Sequence, residues 1–374
     1  TFYKEVSGLL EKGVLRLVSA DDPDLKGMTL LPSLIVLTRK GENNQKKSAR
    51  LVACGNFDLE EKSGKNSKYF SGTSELSLIK MLLLMYSPHF LSLVDVEKAF
   101  TQSSEEMSSA VRGENKKIAL RLPSCFKHRV LWPECFAKAG YDFDKAKTIY
   151  LEVLRSVYGE RSAPLAWKRS LEAVLTKLGF VRSSYDDSIY IKHIEGQLPQ
   201  VCSVYVDDVW IFSQQQGLHD EFLRTLREHF QTTEPVHLHN GDTATFLAHD
   251  VAIKDGFLTF SQTSYIQQCR EKSIGKFLTS EEAERPCTFL NPQHFDPSWL
   301  CASDDVAESD ILSESDMTSL RGIVNTISYC SGSTRADLAA PLSVLARYQG
   351  GGRIHRRVLA SAQNLLKYMF HTAD

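Results

Sequence analysis

The sequence predicts an α+β protein, with strands and helices interleaved over most of the chain and helices dominating its C-terminal part. Two observations predict this class. Strand-like apolar runs recur between residues 33 and 260, separated by helical patterns and turn residues. Beyond Phe260 the periodic segments are largely helical. This order is typical of a mixed catalytic region followed by an α-helical appendage.

The first half of the chain contains strands, loops and one clear helix. Residues 33–38 form a strand-like run, and residues 75–86 carry apolar side chains near helical spacing. Residues 91–96 form a short apolar run that carries Asp95 near its end, as expected of a buried strand with a functional side chain. Residues 127–147 are rich in loop-forming residues.

The second half opens with the strongest helical pattern. This pattern begins at Pro164, runs to Leu178 and is followed by Gly179 as a C-cap. Asp255-Gly256 is a typical hairpin turn within a strand-like stretch. The remaining predicted strands span residues 188–193, 201–206 and 209–213, and the remaining helices span residues 320–329, 338–348 and 358–370.

The composition is that of an ordinary globular protein. The chain has 374 residues, of which 42% are hydrophobic and 24% charged, with a net charge of -2. Its most apolar stretch, residues 79–86, is too short to span a bilayer, so we expect no membrane association. Basic residues cluster at 40–50 and 353–357 and acidic residues at 281–316, so the net charge does not decide whether the protein binds nucleic acid.

Two further features concern the chain ends and the cysteines. The chain begins at Thr1 without a methionine or a signal peptide, which favours a piece of a longer, intracellular polypeptide. No Cys-x-x-Cys pair occurs among the eight cysteines, so we expect reduced thiols rather than a zinc site or a disulfide framework.

The first chemical signal is Asp207-Asp208, which lies between two apolar strand patterns. A tight hairpin would present both carboxylates at its tip. Two solvated turn residues are the simpler explanation. The apolar flanks argue against it, because adjacent negative charges at the rim of a buried hairpin repel unless a cation neutralises them.

Asp95 is a second candidate, because it also ends an apolar strand pattern. Carboxylates from two strand ends can hold two Mg²⁺ ions about 3.5–4 Å apart, an arrangement that suits in-line phosphoryl displacement. From the residues alone, a metal site and a set of structural aspartates remain open alternatives.

The motifs, taken in order, resemble the copia-type (Pseudoviridae) LTR-retrotransposon reverse transcriptases, over a stretch from about Phe2 to about Thr372. The best-matched segments are residues 48–55 (Ser-Ala-Arg-Leu-Val-Ala-Cys-Gly), 94–100 (Val-Asp-Val-Glu-Lys-Ala-Phe), 156–167 (Ser-Val-Tyr-Gly-Glu-Arg-Ser-Ala-Pro-Leu-Ala-Trp) and 205–208 (Tyr-Val-Asp-Asp). Weaker matches lie at residues 179–190, 246–248, 320–322, 334–337 and 360–368.

The resemblance implies a right-hand polymerase with fingers, an antiparallel palm sheet and a helical thumb. The family normally has a ribonuclease H domain after the thumb, and we expect this sequence, which ends at Asp374, to cover the polymerase region without it. The implied division is fingers at residues 1–90 and 124–165, palm at 91–123 and 166–250, and thumb at 251–374.

The resemblance also implies an RNA- and DNA-templated DNA polymerase that extends a primer 3′-hydroxyl with deoxynucleoside triphosphates (dNTPs). Asp95, Asp207 and Asp208 would be the catalytic carboxylates. They would bind two Mg²⁺ ions, with the Val96 carbonyl completing one metal shell and Mn²⁺ as a substitute metal. The implied partners are an RNA or DNA template with its primer, dNTPs and other products of a retrotransposon polyprotein. The implied location is the cytoplasm, in a virus-like particle, or the nucleus.

The nucleotide pocket is implied residue by residue. Arg50 would contact the triphosphate, where a guanidinium fork suits phosphate oxygens. Val96, Ala99 and Phe100 would also line the nucleotide pocket. The Phe100 ring would lie under the sugar and crowd a 2′-hydroxyl. The pocket would be completed by Tyr158, Gly159 and Arg161. Surface solvation of Arg50 and simple core packing of Phe100 are the alternatives, and for Trp167 core packing is favoured over base stacking.

The chain departs from the family pattern at several positions. Cys54 replaces a lysine, Ser162 a glutamine, Leu165 an arginine and Ala248 a glycine. The lost basic side chains should weaken phosphate contacts, although no metal ligand is lost. One alternative is therefore a domesticated, catalytically weak or inactive nucleic-acid-binding protein with the same fold. A metal-dependent nuclease is a further alternative, which would leave the nucleotide pocket without a role.

Overall fold

The computed structural model describes residues 2–40, 46–58, 69–113, 116–129, 132–144, 149–239, 241–285, 287, 307–350 and 352–373. The chain divides into two compact units, Thr1–His237 and Leu238–Asp374. Parts of the basic cluster at 40–50 and of the acidic stretch at 281–316 lie outside the described residues. Among the described cysteines, all are free thiols, as expected.

The first unit combines six helices with strands in three sheets within its described part. Its helices are α1 (Phe2–Glu11), α2 (Leu76–Tyr86), α3 (Glu105–Arg112), α4 (Glu134–Lys138), α5 (Ala163–Lys177) and α6 (Gln216–His229). Its strands are β1 (Leu15–Ser19), β2 (Thr29–Leu31), β3 (Ser33–Lys40), β4 (Lys46–Ala53), β5 (Phe90–Asp95), β6 (Ile118–Arg121), β7 (Ile149–Val153), β8 (Val181–Arg182), β9 (Ile189–Lys192), β10 (Gln200–Tyr205), β11 (Asp208–Ser213) and β12 (Val236–His237).

The largest sheet is antiparallel throughout, with the strand order β12-β5-β11-β10-β9-β8. Helices α5 and α6 cover one face, where Trp167 and Phe222 pack among Val209 and Ile211 of β11. On the other face the Tyr86 ring of α2 lies 5.6 Å from the Phe212 ring. Because side chains alternate along a strand, β11 packs against helices on both faces and is fully buried between them.

A second sheet and a hairpin form the rest of this unit. The sheet has the order β1-β7-β6-β2, with β2 parallel to β6. Strands β3 and β4 pair separately as an antiparallel hairpin. Leu51 of β4, Val6 of α1 and Phe136 of α4 belong to one buried apolar cluster, which ties the hairpin to the sheet and its helices.

In its described part, the second unit has one small sheet and is otherwise mainly helical. Its strands are β13 (Thr243–Phe246), β14 (His249–Lys254) and β15 (Phe257–Ser261), and its helices are α7 (Thr263–Ser273), α8 (Ser280–Glu284), α9 (Glu314–Ser331), α10 (Ala339–Ala346) and α11 (Arg356–His371). The predicted turn is confirmed, since Asp255 and Gly256 adopt φ values of 51° and 77° between β14 and β15. Helices α9, α10 and α11 supply most of one apolar core.

The predicted α+β class, with an antiparallel sheet and a helical C-terminal part, is confirmed. The three sheet-pairing strands predicted around Asp207 and the helix predicted from Pro164 are present within two residues of their predicted ends. The finer division into fingers, palm and thumb stays a prediction. Among the described residues, no helix is both long and apolar enough to cross a membrane.

Candidate active site

Asp95, Asp207 and Asp208 lie at one end of the six-stranded sheet. Strand β5 ends at Asp95 and neighbours β11, which begins at Asp208, and these two residues are directly opposite in the register. Val96, which follows Asp95, also contacts the turn, because its N–H donates to the Asp207 carbonyl oxygen over 2.8 Å. The register therefore brings the three predicted carboxylates to one edge.

A two-residue turn carries Asp207. Tyr205 and Asp208 pair across the turn, which leaves Val206 and Asp207 at its tip. Val206 has a φ of 57°, in the left-handed region that a β-branched residue rarely adopts. The turn is thus held in an unfavourable backbone conformation, a condition that persists only where surrounding contacts impose it.

The local electrostatics show that the three carboxylates interact. Burial, which is the largest cause, and the negative charges of Asp207 and Asp95 together raise the pKa of Asp208 to about 7. Carboxylate oxygens are the ligands that Mg²⁺ prefers, and a divalent cation would relieve their mutual repulsion. Among the described residues, no three His, Cys, Asp or Glu side chains form a preformed metal cluster. The fit to Mg²⁺ therefore rests on donor chemistry, shared position and electrostatics.

An aromatic and cationic group lies in the same unit. The Phe100 and Tyr158 rings meet edge to face, with 5.4 Å between their centres. The Arg50 guanidinium carbon lies 4.9 Å from the centre of the Tyr158 ring, within the range of a cation–π contact. Burial raises the pKa of Tyr158, Arg50 opposes this effect, and the charges of Asp207 and Asp95 add to it. Tyr158 therefore contacts both Arg50 and Phe100, and it lies within electrostatic reach of Asp207 and Asp95.

Close backbone contact joins this pocket to the β3–β4 hairpin. The Ala53 N–H donates to the Tyr158 carbonyl over 2.7 Å, and the Gly55 N–H donates to the Gly159 carbonyl over 3.2 Å. A Cβ atom added to Gly159 would lie 2.0 Å from the Ala53 oxygen, and its φ is 80°. Only glycine fits at this position, for both reasons.

The other predicted site residues differ in their exposure. Val96 and Ala99 are buried, whereas the Arg161 side chain is exposed. The Arg161 backbone nitrogen lies close to Gly55, since a Cβ added there would be 3.4 Å away. The backbone of Arg161 is thus beside the pocket. The predicted contact of its side chain with a nucleotide stays a prediction.

Arg112 and Glu160 form a buried ion pair, which was not predicted from the sequence. The Arg112 Nε donates to Glu160 over 2.5 Å, and its other nitrogens donate to the Val153 and Arg155 carbonyls. Glu160 also accepts from the Val157 N–H and the Ser162 hydroxyl. The sequence held one indication of this pair. Glu160 takes the place of a leucine in the family motif, and a charged side chain that is buried in place of an apolar one needs a partner.

The role of Trp167 is wider than the core packing predicted for it. The side chain is 2% exposed, which confirms the packing, and its ring meets Phe230 edge to face at 4.9 Å. Its indole N–H also donates to the Val206 carbonyl over 2.6 Å. The sequence gives no distance between helix α5 and the turn, so this bond could not be predicted from it.

Comparisons with known proteins show the family of this chain. A family model described as reverse transcriptase (RNA-dependent DNA polymerase) matches residues 22–280. A putative transposon Ty5-1 protein of Saccharomyces cerevisiae is 25% identical over 59% of this chain and 65% of its own length. The retrovirus-related Pol polyproteins from transposons RE2 and RE1 of Arabidopsis thaliana are 27% and 26% identical, each over 55% of this chain.

The matches cover only part of each relative. They span less than two thirds of the Ty5-1 protein and 13% of each Pol polyprotein. A foamy viral protease–reverse transcriptase, solved in complex with double-stranded DNA, matches 96% of this chain and 46% of its own. That match has a TM-score of 0.44 and 13% sequence identity. On the family model and the transposon relatives, the chain belongs to the reverse transcriptases of copia-type LTR retrotransposons.

Proposed function

We propose that this protein is an RNA- and DNA-templated DNA polymerase that extends a primer 3′-hydroxyl with dNTPs. The observation that carries the proposal is the β5–β11 register, which sets Asp95 opposite Asp208 and bonds the Asp207 carbonyl to the next residue of the β5 segment. Three carboxylates at one sheet edge match what two-metal phosphoryl transfer requires.

Asp95, Asp207 and Asp208 are the residues that would hold the metal ions, with the Val96 carbonyl as a further oxygen ligand. Divalent ions held there supply Lewis-acid activation of the 3′-hydroxyl and neutralise charge on the pyrophosphate leaving group. Burial and the charges of Asp207 and Asp95 raise the pKa of Asp208 to about 7. Nearby positive charge favours its ionised form.

The pocket residues bind and select the nucleotide in this proposal. The Arg50 guanidinium, held over the Tyr158 ring, donates to phosphate oxygens. The Phe100 ring, braced edge to face by Tyr158, lies under the sugar and excludes a 2′-hydroxyl. Gly159 lets the loop approach the β3–β4 hairpin closely enough to keep these side chains together.

Primer extension on an RNA template, with Mg²⁺ or Mn²⁺, tests the proposal. We expect wild-type protein to extend the primer and Asp207→Asn to lose at least about a thousandfold in rate, as expected when a metal ligand is removed. The matched control is Asp255→Asn, an equally small change in a hairpin turn of the second unit, where asparagine is also accepted.

The alternatives give different results in the same assay. A domesticated binding protein would retain a labelled template–primer without extending it, in both metals. A nuclease would shorten the labelled strand, and Asp207→Asn would abolish the shortening. Either pattern in the wild-type protein would contradict the polymerase proposal.

A further inference from the structure

The turn that carries Asp207 is held by two hydrogen bonds from outside the hairpin. One is the backbone bond from the Val96 N–H to the Asp207 carbonyl, over 2.8 Å. The other comes from a side chain, since the Trp167 indole N–H donates to the Val206 carbonyl over 2.6 Å. The two acceptors are consecutive carbonyls, so the bonds fix the two peptide planes that flank the Asp207 Cα.

The turn needs such support because Val206 is in the left-handed region, with a φ of 57°. A first turn residue with positive φ is normally glycine, which adopts this conformation without a Cβ clash. Valine disfavours it, so the hairpin on its own would relax toward other turn conformations. Any relaxation would rotate the Val206–Asp207 peptide and move the Asp207 carboxylate that follows it.

Trp167 is rigidly placed for this contact. It lies on helix α5, is 2% exposed and packs edge to face on Phe230 of the same apolar cluster. Its indole nitrogen is the only polar atom of the side chain and can only donate. A phenylalanine would fill most of the same space, so the chain's use of tryptophan is explained by the bond to Val206 rather than by packing alone.

We propose that Trp167 is a positioning residue, which acts through the Val206 carbonyl to hold the catalytic turn and orient the Asp207 carboxylate. This inference rests on the proposed function of the site. Trp167 itself contacts neither substrate nor metal in this proposal. Its effect is expected in the chemical step and in metal affinity, and much less in nucleotide binding.

The experiment compares Trp167→Phe with a matched control, Trp132→Phe. Trp132 also meets a phenylalanine edge to face, at 5.1 Å from Phe136, and its indole N–H donates to the Tyr141 carbonyl over 3.2 Å. Both changes therefore remove one indole–carbonyl hydrogen bond and keep an aromatic ring, but only one of these bonds reaches the catalytic turn.

Four quantities are measured for each variant: kcat and KM for dNTP, the melting temperature, and the affinity for Mn²⁺ without nucleotide, by titration of free Mn²⁺. For Trp167→Phe we expect kcat to fall about fivefold to tenfold, as for one lost hydrogen bond felt in the transition state, with KM changed less than about twofold. We expect Mn²⁺ affinity to weaken as well. Trp132→Phe should leave kcat and Mn²⁺ affinity unchanged.

The proposal is overturned if Trp167→Phe matches wild type in rate and Mn²⁺ affinity, or if it fails to fold, since its role would then be in the core. Equal losses in both variants would also overturn it. If wild-type protein does not extend a primer, the proposed function fails, and the Mn²⁺ titration alone decides the role of Trp167. A wild-type protein that binds no Mn²⁺ would end both proposals.

Discussion

At the scale of single residues, Phe100 is the side chain from which sugar selectivity is expected. Its ring is half-buried and braced by Tyr158 at 5.4 Å. Phe100→Ala should raise incorporation of ribonucleotides relative to deoxynucleotides by about tenfold or more, because the ring no longer crowds the 2′-hydroxyl. The measurement is the ratio of kcat/KM values for the two nucleotides, with the exposed Phe57→Ala as control. An unchanged ratio would remove Phe100 from the sugar site.

Ala248 departs from the family pattern, and its backbone conformation is unfavourable for alanine. Leu247 and Ala248 form a two-residue turn between β13 and β14 with φ values of 48° and 56°. Such turns favour glycine at the second position, where the family has it. Ala248→Gly should raise the free energy of unfolding by about 1 kcal/mol, because glycine carries no Cβ strain at positive φ.

Urea unfolding checks this prediction, with Ala252→Gly on β14 as the matched control. Ala252 lies within a regular strand, where glycine weakens the strand and should lower stability. We therefore expect Ala248→Gly to raise the free energy of unfolding and Ala252→Gly to lower it. A loss of stability in both variants would show that the strain at Ala248 is not relieved by glycine.

The site residues divide at this scale into those that sequence reasoning could find and those it could not. Asp95, Asp207 and Asp208 were candidates because apolar strands carrying a terminal carboxylate are a local pattern. Their catalytic role was predicted from the resemblance to the family. The Trp167 bond to Val206 and the Arg112–Glu160 pair join segments far apart in the chain. No local pattern specifies such distances, so they required the fold.

At the scale of elements, the Arg112–Glu160 ion pair joins helix α3 to the loop that carries Tyr158 and Gly159. The Arg112 and Glu160 side chains are 4% and 3% exposed. Removing one partner leaves an uncompensated buried charge, so Arg112→Leu should lower the free energy of unfolding by about 3–5 kcal/mol. Replacing both partners by leucine should recover most of that loss, because an apolar pair needs no desolvation of charge.

A urea unfolding cycle of Arg112→Leu, Glu160→Leu and the double variant measures this coupling. The control is Arg227→Leu, which removes a partner of an exposed pair with Glu234 and should change stability by less than about 1 kcal/mol. Additive single effects would contradict the direct coupling of Arg112 to Glu160. A double variant as stable as wild type would agree with it.

The elements themselves were largely predictable, whereas their pairing was not. Strands β10 and β11 follow from an apolar run interrupted by Asp207-Asp208, and their hairpin is a local structure. The pairing of β11 with β5 is not local, because β5 lies far earlier in the chain. Strand β12 pairs with the other edge of β5. Sheet order depends on long-range packing of α5, α6 and α2 against the two faces, which periodicity alone does not specify.

At the scale of the whole molecule, the net charge of -2 gives no sign of a nucleic-acid partner. The proposed template–primer would nevertheless contact phosphates through local basic residues, among them Arg50. The dissociation constant for a labelled RNA–DNA duplex should therefore rise steeply between low and moderate salt, measured by fluorescence anisotropy. A flat salt response would contradict binding through phosphates.

The order of motifs along the chain predicted the α+β class and the family, because each motif is short and its sequence is local. The boundary between the two compact units, after His237, was not predicted. Strands β13, β14 and β15 pair with one another in the small sheet of the second unit. The implied division into fingers, palm and thumb stays a prediction. A unit boundary depends on which strands exchange hydrogen bonds, and no composition change marks it in the sequence.

The central claim is that carboxylates from β5 and from the β10–β11 turn form one polymerase centre. The most direct measurement is the single-nucleotide extension rate of a DNA primer on an RNA template, for wild type, Asp95→Asn and Asp207→Asn. The account predicts extension by wild type and a loss of at least about a thousandfold in each variant, since either change removes a ligand of the same metal site. Wild-type protein that extends no primer, or Asp95→Asn protein that extends it at the wild-type rate, would contradict the claim.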